Sequence, residues 1–292
     1  DRTSRPSPLQ RMGLRRKYWL IQAGTAMVAG LLMVMFFRWF ENRQVYVPSS
    51  RFDREGDWLG RPWEDVDFEA ADGTRLNGWF FPCDADSPNP QVVILLCHGN
   101  AGNISHRFEK YAVLLELGVN VFTFDYRGYG RSAGTPGEEG TYQDAVAAHG
   151  WLIRKGFSPT NMVGIGESLG GGIASELALR VPMGGMILQS AFTSVPRLGK
   201  ELFPWLPVAW LARIHYNTLG KLPEIRVPLL ILHSRGDTLI GFHHAEQNFK
   251  AANEPKQLRE LSGDHNETLS TSRDTYQTAI REFLVSSGLR QE

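Results

Sequence analysis

The residues 166–170 read Gly-Glu-Ser-Leu-Gly and lie between a short apolar run and a segment of small residues. The run at 162–165 predicts a strand, and the segment 168–180 predicts a helix. A serine on such a tight turn projects its hydroxyl above a sheet, because small neighbours let the strand and helix approach closely. The helix N-terminus also points N–H groups toward a developing oxyanion. The pattern predicts that Ser168 is a nucleophile for acyl transfer.

A carboxylate and an imidazole follow this serine in the order that such a nucleophile requires. Asp237 comes just after the predicted strand 229–232, and His265 just after the predicted strand near 257–261. Parallel strands place their carboxyl ends at one edge of a sheet, where sites are built. We expect His265 to take and return the proton of Ser168, and Asp237 to orient the imidazole. Asp264 is the alternative acid, but it directly precedes the histidine, which makes the geometry unfavourable.

A glycine-rich turn, His-Gly-Asn-Ala-Gly-Asn at 98–103, follows the apolar run 92–97. Its backbone N–H groups are candidates to complete an oxyanion hole with the N–H of Leu169. Asn100 is our choice for the second donor, and the alternative is a simple turn without a role in catalysis. His98 is interpreted as structural.

The remaining candidate side chains lack a comparable context. His233 ends a strand and is interpreted as structural, and His243 and His244 are interpreted as the exposed start of a helix. Three further serines lack the strand-to-helix turn: Ser132, Ser190 and Ser194. A dinucleotide fingerprint fails because Leu169 stands where its third glycine would be. The sequence contains no metal-binding motif, and we expect neither a metal nor a cofactor.

The rest of the chain predicts strands alternating with helices. Further strands are expected near 66–69, 75–81, 119–124 and 186–188, and further helices near 106–117, 141–155, 243–252 and 273–286. Such alternation indicates an α/β fold with a doubly wound, mostly parallel sheet. Residues 192–224 interrupt it and predict a small cap insertion over the carboxyl end of the sheet. The cap would present apolar side chains: Phe203, Trp205, Leu206, Val208, Trp210 and Leu211.

The N-terminal region has a different character. Residues 18–37 form a stretch of 20 residues without a charged side chain. A transmembrane helix needs about this length of uncharged, mostly apolar sequence. Basic residues crowd its N-terminal side, which favours a cytoplasmic N-terminus in a single-pass membrane protein. The alternatives are a cleaved signal peptide and a buried core helix. The predicted organisation is a basic tail at 1–17, a transmembrane anchor at 18–40, a stalk at 41–64 and a catalytic domain at 65–288.

Composition excludes some function classes. Of 292 residues, 31 are Lys or Arg and 31 are Asp or Glu, so the formal net charge is zero. We therefore expect no nucleic-acid partner, because such proteins carry a basic footprint. The two cysteines, Cys83 and Cys97, do not indicate a disulfide framework.

Four segments together resemble a known family. They are 98–106, 125–132 (Asp-Tyr-Arg-Gly-Tyr-Gly-Arg-Ser), 166–171 and 264–266 (Asp-His-Asn). They resemble the bud-emergence-type branch of the α/β-hydrolase superfamily and the membrane-anchored α/β-hydrolase domain-containing serine hydrolases of animals. The resemblance implies the same triad, a membrane anchor, and a role for Asp125 and Arg127 in tying a loop near the site. Relatives often carry a proline after the acid loop, where this chain has Gly241.

The sequence therefore predicts a membrane-anchored serine hydrolase. Its expected substrate is an ester or thioester, either a small molecule or a lipid-like acyl compound, cleaved through an acyl-enzyme intermediate. An aminopeptidase-like amide hydrolase is the alternative among enzymes, since the same triad cleaves amides. A membrane-tethered scaffold that retains the fold without catalysis is the alternative outside enzymes.

Overall fold

A computed structural model describes residues 8–87 and 89–289, and its N-terminal helix and its globular domain form two separate units that divide between Gln44 and Val45. The helix, α1, runs Pro8–Val45. Within α1, Arg16–Val45 is long and apolar enough to cross a membrane, a test that a signal sequence also passes. The predicted anchor at 18–40 falls inside this stretch. Residues 1–7 of the predicted basic tail lie outside the described residues.

The domain is built from short strands. In chain order they are β1 (Val47–Pro48), β2 (Glu64–Glu69), β3 (Arg75–Phe81), β4 (Val93–Cys97), β5 (Ala101–Gly102), β6 (Asn120–Phe124), β7 (Met162–Glu167), β8 (Gly185–Gln189), β9 (Leu229–Ser234) and β10 (Lys256–Leu261). Eight of them form one sheet in the order β10-β9-β8-β7-β4-β6-β3-β2. The pairs β2–β3 and β3–β6 are antiparallel, and the other neighbours are parallel. This arrangement confirms the mostly parallel sheet that the sequence predicts.

Helices connect the parallel strands and cover both faces of the sheet. They are α2 (Phe108–Leu115), α3 (Glu138–Arg154), α4 (Leu169–Arg180), α5 (Val195–Leu202), α6 (Val208–Leu211), α7 (Thr218–Lys221), α8 (His243–Ala251), α9 (Thr268–Thr271) and α10 (Arg273–Ser286). The domain has two hydrophobic cores, one on each face of the sheet. Strand β4 contributes to both, because successive side chains of a strand point to opposite faces. Val93 and Leu95 pack in the core with α3, α4 and α8, whereas Ile94 and Leu96 pack in the core with α2 and α10.

The segment 41–64, interpreted from sequence as a stalk, differs in the structure. Its first residues complete α1, and from Tyr46 onward it packs on the domain. The Tyr46 hydroxyl lies 2.9 Å from that of Tyr216, and β1 pairs with β5. The side-chain amide of Asn103 donates to the carbonyls of Ser49 and Arg51, at 2.9 and 2.7 Å. Polar composition suggested a free linker, but these polar groups bond to the domain.

The cap segment 192–224 contains α5, α6 and α7. Val195 and Leu198 pack against the core, so the first helix of the cap is fixed to the domain. Trp205 and Trp210 instead are 74% and 93% exposed. These two rings are therefore presented to solvent and do not pack onto the sheet.

Candidate active site

Ser168 occupies a strained turn between β7 and α4. Its backbone has φ 51° and ψ −113°, a region that non-glycine residues rarely adopt. Holding a residue there costs on the order of 1–3 kcal/mol, which the surrounding structure must offset. The turn places Ser168 at the carboxyl end of β7 and at the N-terminus of α4, as the sequence predicts.

The glycines beside the serine are required by close backbone approach. A Cβ on Gly166 would lie 2.4 Å from the carbonyl oxygen of Gly170. A Cβ on Gly170 would lie 2.0 Å from the carbonyl oxygen of Cys97 at the end of β4. Any side chain at either position would force the strand and helix apart, and the turn would lose its shape. The spacing of small residues in the motif is thus a steric requirement in this chain.

Asp237 and His265 are in direct contact. The imidazole Nδ1 of His265 lies 2.7 Å from Oδ2 of Asp237. The other carboxylate oxygen, Oδ1, accepts hydrogen bonds from the backbone N–H groups of Leu239 and Ile240 at 3.0 and 2.7 Å. Asp237 lies in the loop after β9, and His265 lies in the loop after β10. Both loops begin at the edge of the sheet that carries Ser168. Asp237 is thereby held by its own loop while it faces the imidazole.

Asp264 makes a different set of contacts. Its Oδ1 accepts from the backbone N–H of Thr238 at 2.8 Å and from that of His265 at 2.7 Å. The hydrogen bond from Thr238 is the largest cause of the lowered pKa of Asp264. Asp264 therefore joins the acid loop to the histidine loop through backbone groups. In the described part of the chain, its carboxylate makes no hydrogen bond to the His265 ring.

Ser168 and His265 lie at the same edge of the sheet without a hydrogen bond between their side chains among the described residues. Catalytic hydrogen bonds are often long or misaligned before substrate binds. A cavity of about 310 Å³ adjoins the histidine and reaches Glu167, the residue before the serine. Its lining comes from α2, the ends of β7 and β8, and the histidine loop. Within the described residues no cap side chain lines this cavity.

The candidate oxyanion donors lie on both sides of the serine. Leu169 is the first residue of α4, and first-turn N–H groups have no partner within a helix. The turn after β4 passes beside the serine, because a Cβ on Gly99 would lie 3.7 Å from that of Ser168. Asn100 follows in this turn, and its carbonyl accepts from the Tyr129 hydroxyl at 2.8 Å. The assignment of Asn100 and Leu169 as donors stays a prediction.

Buried polar contacts hold the turn that carries Asn100. The Nε2 of His98 lies 3.4 Å from Oδ1 of Asp125, and both side chains are fully buried. The same oxygen accepts from the backbone N–H of Ile104 at 3.0 Å, and burial raises the pKa of Asp125. Asp125 thus ties the turn, as the resemblance implies. Arg127 instead binds Asp144 in α3 and the exposed Asp72.

One expectation about the histidines is wrong. His244 is 1% exposed, although the sequence suggested an exposed helix start, because Thr193 and Glu201 of the neighbouring segment cover it. With His243, Glu201 and His244 form the one group in the described chain whose ligand atoms are spaced for a metal. The Nδ1 of His244 accepts the Thr193 N–H at 3.1 Å. This places the ring proton on Nε2, which donates it to Glu201. Hydrogen bonds between these side chains therefore explain why they lie close together, without a metal ion.

The sequence analysis missed three polar residues beside the serine. Lys110, Glu167 and Gln189 form a connected group at the ends of β7 and β8. The one signal was the position of Glu167 inside the motif. Lys110 lies in α2 beside a second charged residue, Glu109, and Gln189 ends an apolar strand, so nothing in the sequence connects Lys110 with Gln189.

Comparisons with known proteins agree with this architecture. Residues 88–222 match the model of a family described as serine aminopeptidase, S33. An uncharacterised Mycobacterium tuberculosis protein is 35% identical over 259 residues, covering 88% of this chain and 92% of that protein. The α/β-hydrolase domain-containing protein WAV2 of Arabidopsis thaliana is 30% identical over 287 residues, covering 89% and 92%. The lysophosphatidylserine lipase ABHD12 of Mus musculus is 36% identical over 191 residues, covering 58% and 48%.

Among solved structures, the Pyrococcus furiosus esterase Pf2001 superposes with a TM-score of 0.70 at 21% identity, covering 84% of this chain and 97% of that one. At this identity the likeness shows the fold. The mostly parallel sheet and the strained turn between β7 and α4 define the class as an α/β-hydrolase fold. The extensive identity to WAV2 gives the family: the chain belongs to the α/β-hydrolase superfamily. The comparisons as a whole support a hydrolase of this fold.

Proposed function

We propose that the chain is a membrane-anchored serine hydrolase that cleaves an ester or thioester through Ser168, His265 and Asp237. The observation that carries the proposal is the strained serine at the end of β7 together with the Asp237–His265 pair at the same edge of the sheet. A strained, presented hydroxyl and an oriented imidazole are the two components that nucleophilic acyl transfer needs.

The proposed reaction proceeds in two halves. The Oγ of Ser168 attacks the carbonyl carbon while Nε2 of His265 takes its proton, and N–H groups of Leu169 and Asn100 bind the oxyanion. The bond to the leaving alcohol or thiol then breaks, and His265 returns the proton to that group. Water attacks the acyl-enzyme with His265 again as base, which releases the acid and restores Ser168.

A lipid-like substrate is supported by two features. The mouse relative is a lysophosphatidylserine lipase, and the cap of this chain exposes Trp205 and Trp210 to solvent. Exposed aromatic rings suit a substrate that is partly apolar. The polar cavity beside His265 suits the other end of such a molecule, because His265 would protonate the leaving group there.

Anchoring would follow from the N-terminal helix. The stretch Arg16–Val45 meets the length and composition of a membrane span. Basic residues on its N-terminal side favour a cytoplasmic N-terminus, which would place the hydrolase domain on the opposite side. The anchor would keep the site close to lipid substrates, and no nucleic-acid partner enters the proposal.

A second candidate is an aminopeptidase-like amide hydrolase, favoured by the matched serine aminopeptidase model over 88–222. The match ends before Asp237 and His265, so it covers the nucleophile and not the rest of the triad. We rank this candidate below the esterase.

The test is a substrate panel with the full chain in mild detergent. Esters, thioesters and aminoacyl anilides with matched acyl groups are compared, and Ser168→Ala serves as the control. We expect turnover of esters or thioesters, and a loss of roughly 10³-fold or more in the variant. Turnover confined to aminoacyl anilides would favour the second candidate. Equal rates in the wild type and the variant would contradict the role of Ser168. Absence of turnover on every substrate would contradict the proposal and favour a non-catalytic scaffold.

A further inference from the structure

A partly buried ion pair lies next to the proposed nucleophile. Glu167 is the last residue of β7 and precedes Ser168, and Lys110 lies in α2, 57 residues away in sequence from that glutamate. The Nζ of Lys110 contacts Oε2 of Glu167 and donates a 2.8 Å hydrogen bond to Oε1 of Gln189. The Lys110 side chain is only 4% exposed. Taking such a charge out of water is costly, so its partners must compensate it closely.

The pair also connects the serine turn to the histidine loop. Glu167 and Gln189 are direct neighbours in the β7–β8 ladder. Gln189 in turn donates from Nε2 to Oγ1 of Thr268 at 3.3 Å. Thr268 begins α9 and follows His265 by three residues. A continuous series of polar side-chain contacts therefore connects Glu167, the residue before the proposed nucleophile, to the loop that carries His265.

Glu167 is charged in this setting. Burial alone would raise the pKa of its carboxyl, but Lys110 and Arg107 outweigh burial and hold that pKa at about 2. Arg107 lies 3.9 Å from the carboxylate through its Nε. Glu167 and His265 line the same cavity, and their charges interact. An uncompensated carboxylate at this position would stabilise the protonated form of His265.

Other charged or titratable groups surround His265 and must be considered. Its own loop also carries Asp264 and Glu267, and β9 with the loop after it carries His233, Arg235 and Asp237. The groups across the cavity are His106, Arg107, Glu109, Lys110 and Glu167. Asp237 binds Nδ1 of the ring directly, and Asp264 is committed to backbone N–H groups. Burial lowers the pKa of His233, which favours its neutral form. Burial lowers the pKa of Lys110, and its contact with Glu167 opposes that shift. Lys110 is the buried cation that compensates the carboxylate next to the nucleophile.

We propose that Lys110 is a positioning residue that neutralises Glu167 and thereby keeps His265 unprotonated, and so able to act as the base, at neutral pH. The proposal rests on the proposed function, since it assigns His265 the role of general base. Lys110 need not touch the substrate. It acts through Glu167, on the charge of the imidazole and on the position of the serine turn.

The test is the pH dependence of Ser168 labelling by a fluorophosphonate probe, measured on the full chain in detergent micelles. The acid limb of the labelling rate reports protonation of the base in the free enzyme. In Lys110→Met the Glu167 carboxylate remains ionised beside Arg107, so the acid limb should move to higher pH by about one pH unit. In Lys110→Met with Glu167→Gln both charges are absent, and the limb should return to the wild-type position.

Two further variants separate this effect from damage to the fold. Lys110→Arg keeps the charge and should keep the wild-type limb. Lys221→Met removes another lysine with little solvent exposure, 13% for its side chain, which pairs with Glu176 on α4, and should also leave the limb in place. If Lys110→Met does not fold, Glu167→Gln alone tests the proposal through a shift of the acid limb in the opposite direction. It leaves the charges of Lys110 and Arg107 unopposed, and the limb should move to lower pH.

The outcomes distinguish the two proposals. Wild-type protein that does not react with the probe contradicts the proposed function itself. Wild-type protein that reacts, with an acid limb that Lys110→Met leaves unchanged, overturns only the role of Lys110. A shift in Lys110→Met that persists in the double variant also overturns it, because the shift then does not come from Glu167.

Discussion

The His265 imidazole and the Asp237 carboxylate meet at 2.7 Å through Nδ1 and Oδ2, although the two residues are 28 positions apart. The carboxylate uses both of its oxygens, since Oδ1 is bound by the N–H groups of Leu239 and Ile240. An acceptor fixed in this way places the ring proton on Nδ1 and leaves Nε2 as the nitrogen that can accept a proton. Gly241, where relatives often have proline, lies beyond these contacts and does not disturb them.

The first prediction distinguishes the two neighbouring carboxylates. Asp237→Asn should lower kcat by roughly 10⁴, because an amide can hold the imidazole in the wrong tautomer. Asp264→Asn should cost much less, since Asp264 bonds to the backbone of Thr238 and His265. Steady-state kinetics on a chromogenic ester provides both values. A larger loss in Asp264→Asn would show that Asp264 is the acid.

The second prediction concerns the steric requirement at the serine turn. Gly170→Ala should destabilise the domain by about 3 kcal/mol, because its Cβ would lie 2.0 Å from the Cys97 carbonyl oxygen. Gly150→Ala, inside α3, is the matched control, since its Cβ would meet no heavy atom closer than 3.5 Å. The control should gain about 0.5–1 kcal/mol from helix propensity. Thermal unfolding measures both, and equal midpoints would refute the steric explanation.

The third prediction concerns the N-terminal helix. If Arg16–Val45 spans the membrane with a cytoplasmic N-terminus, the domain should resist protease added to the cytoplasmic face of sealed vesicles. Detergent should then make it sensitive. Digestion before detergent is added would reverse the orientation. Recovery of the mature chain without this helix in the soluble fraction would indicate a signal sequence.

The fourth prediction concerns the cap. Wild-type protein should prefer medium or long acyl esters over acetate, and the double variant Trp205→Ala, Trp210→Ala should reduce this preference while acetate turnover persists. Both rings are exposed, so the change should not unfold the domain. Leu198→Ala, which loses a side chain packed on the core, is the control for general damage to the cap. Equal loss on all substrates, or a wild-type preference for acetate, would show that the cap does not select the acyl chain.

Most of the fold followed from local pattern. The predicted strand 75–81 coincides with β3, and the helix predicted at 273–286 coincides with α10. The unbroken apolar strands and the motif at 166–170 depend on residues that are close together in the sequence. The local sequence pattern was therefore sufficient to predict them. The sequence also placed Asp237 and His265 after two strands, and in the structure these strands, β9 and β10, are neighbours in the sheet.

What the sequence did not predict depends on contacts between distant residues. Lys110 and Glu167 meet only because the fold brings α2 to the end of β7. Nothing in the sequence of either element indicates that the other will lie beside it. His244 is buried because α5 folds back on α8. The segment after α1 is polar, yet its carbonyl groups bond to Asn103 rather than to water.

Labelling of Ser168 tests the central claim most directly. The full chain is treated with a fluorophosphonate probe, digested, and mapped by mass spectrometry, beside Ser168→Ala and the control Ser190→Ala, whose serine follows β8. We predict one labelled site, on the peptide that carries Ser168, with labelling lost in Ser168→Ala and kept in the control. Labelling that persists in folded Ser168→Ala, or a wild-type protein that never reacts, would contradict the account.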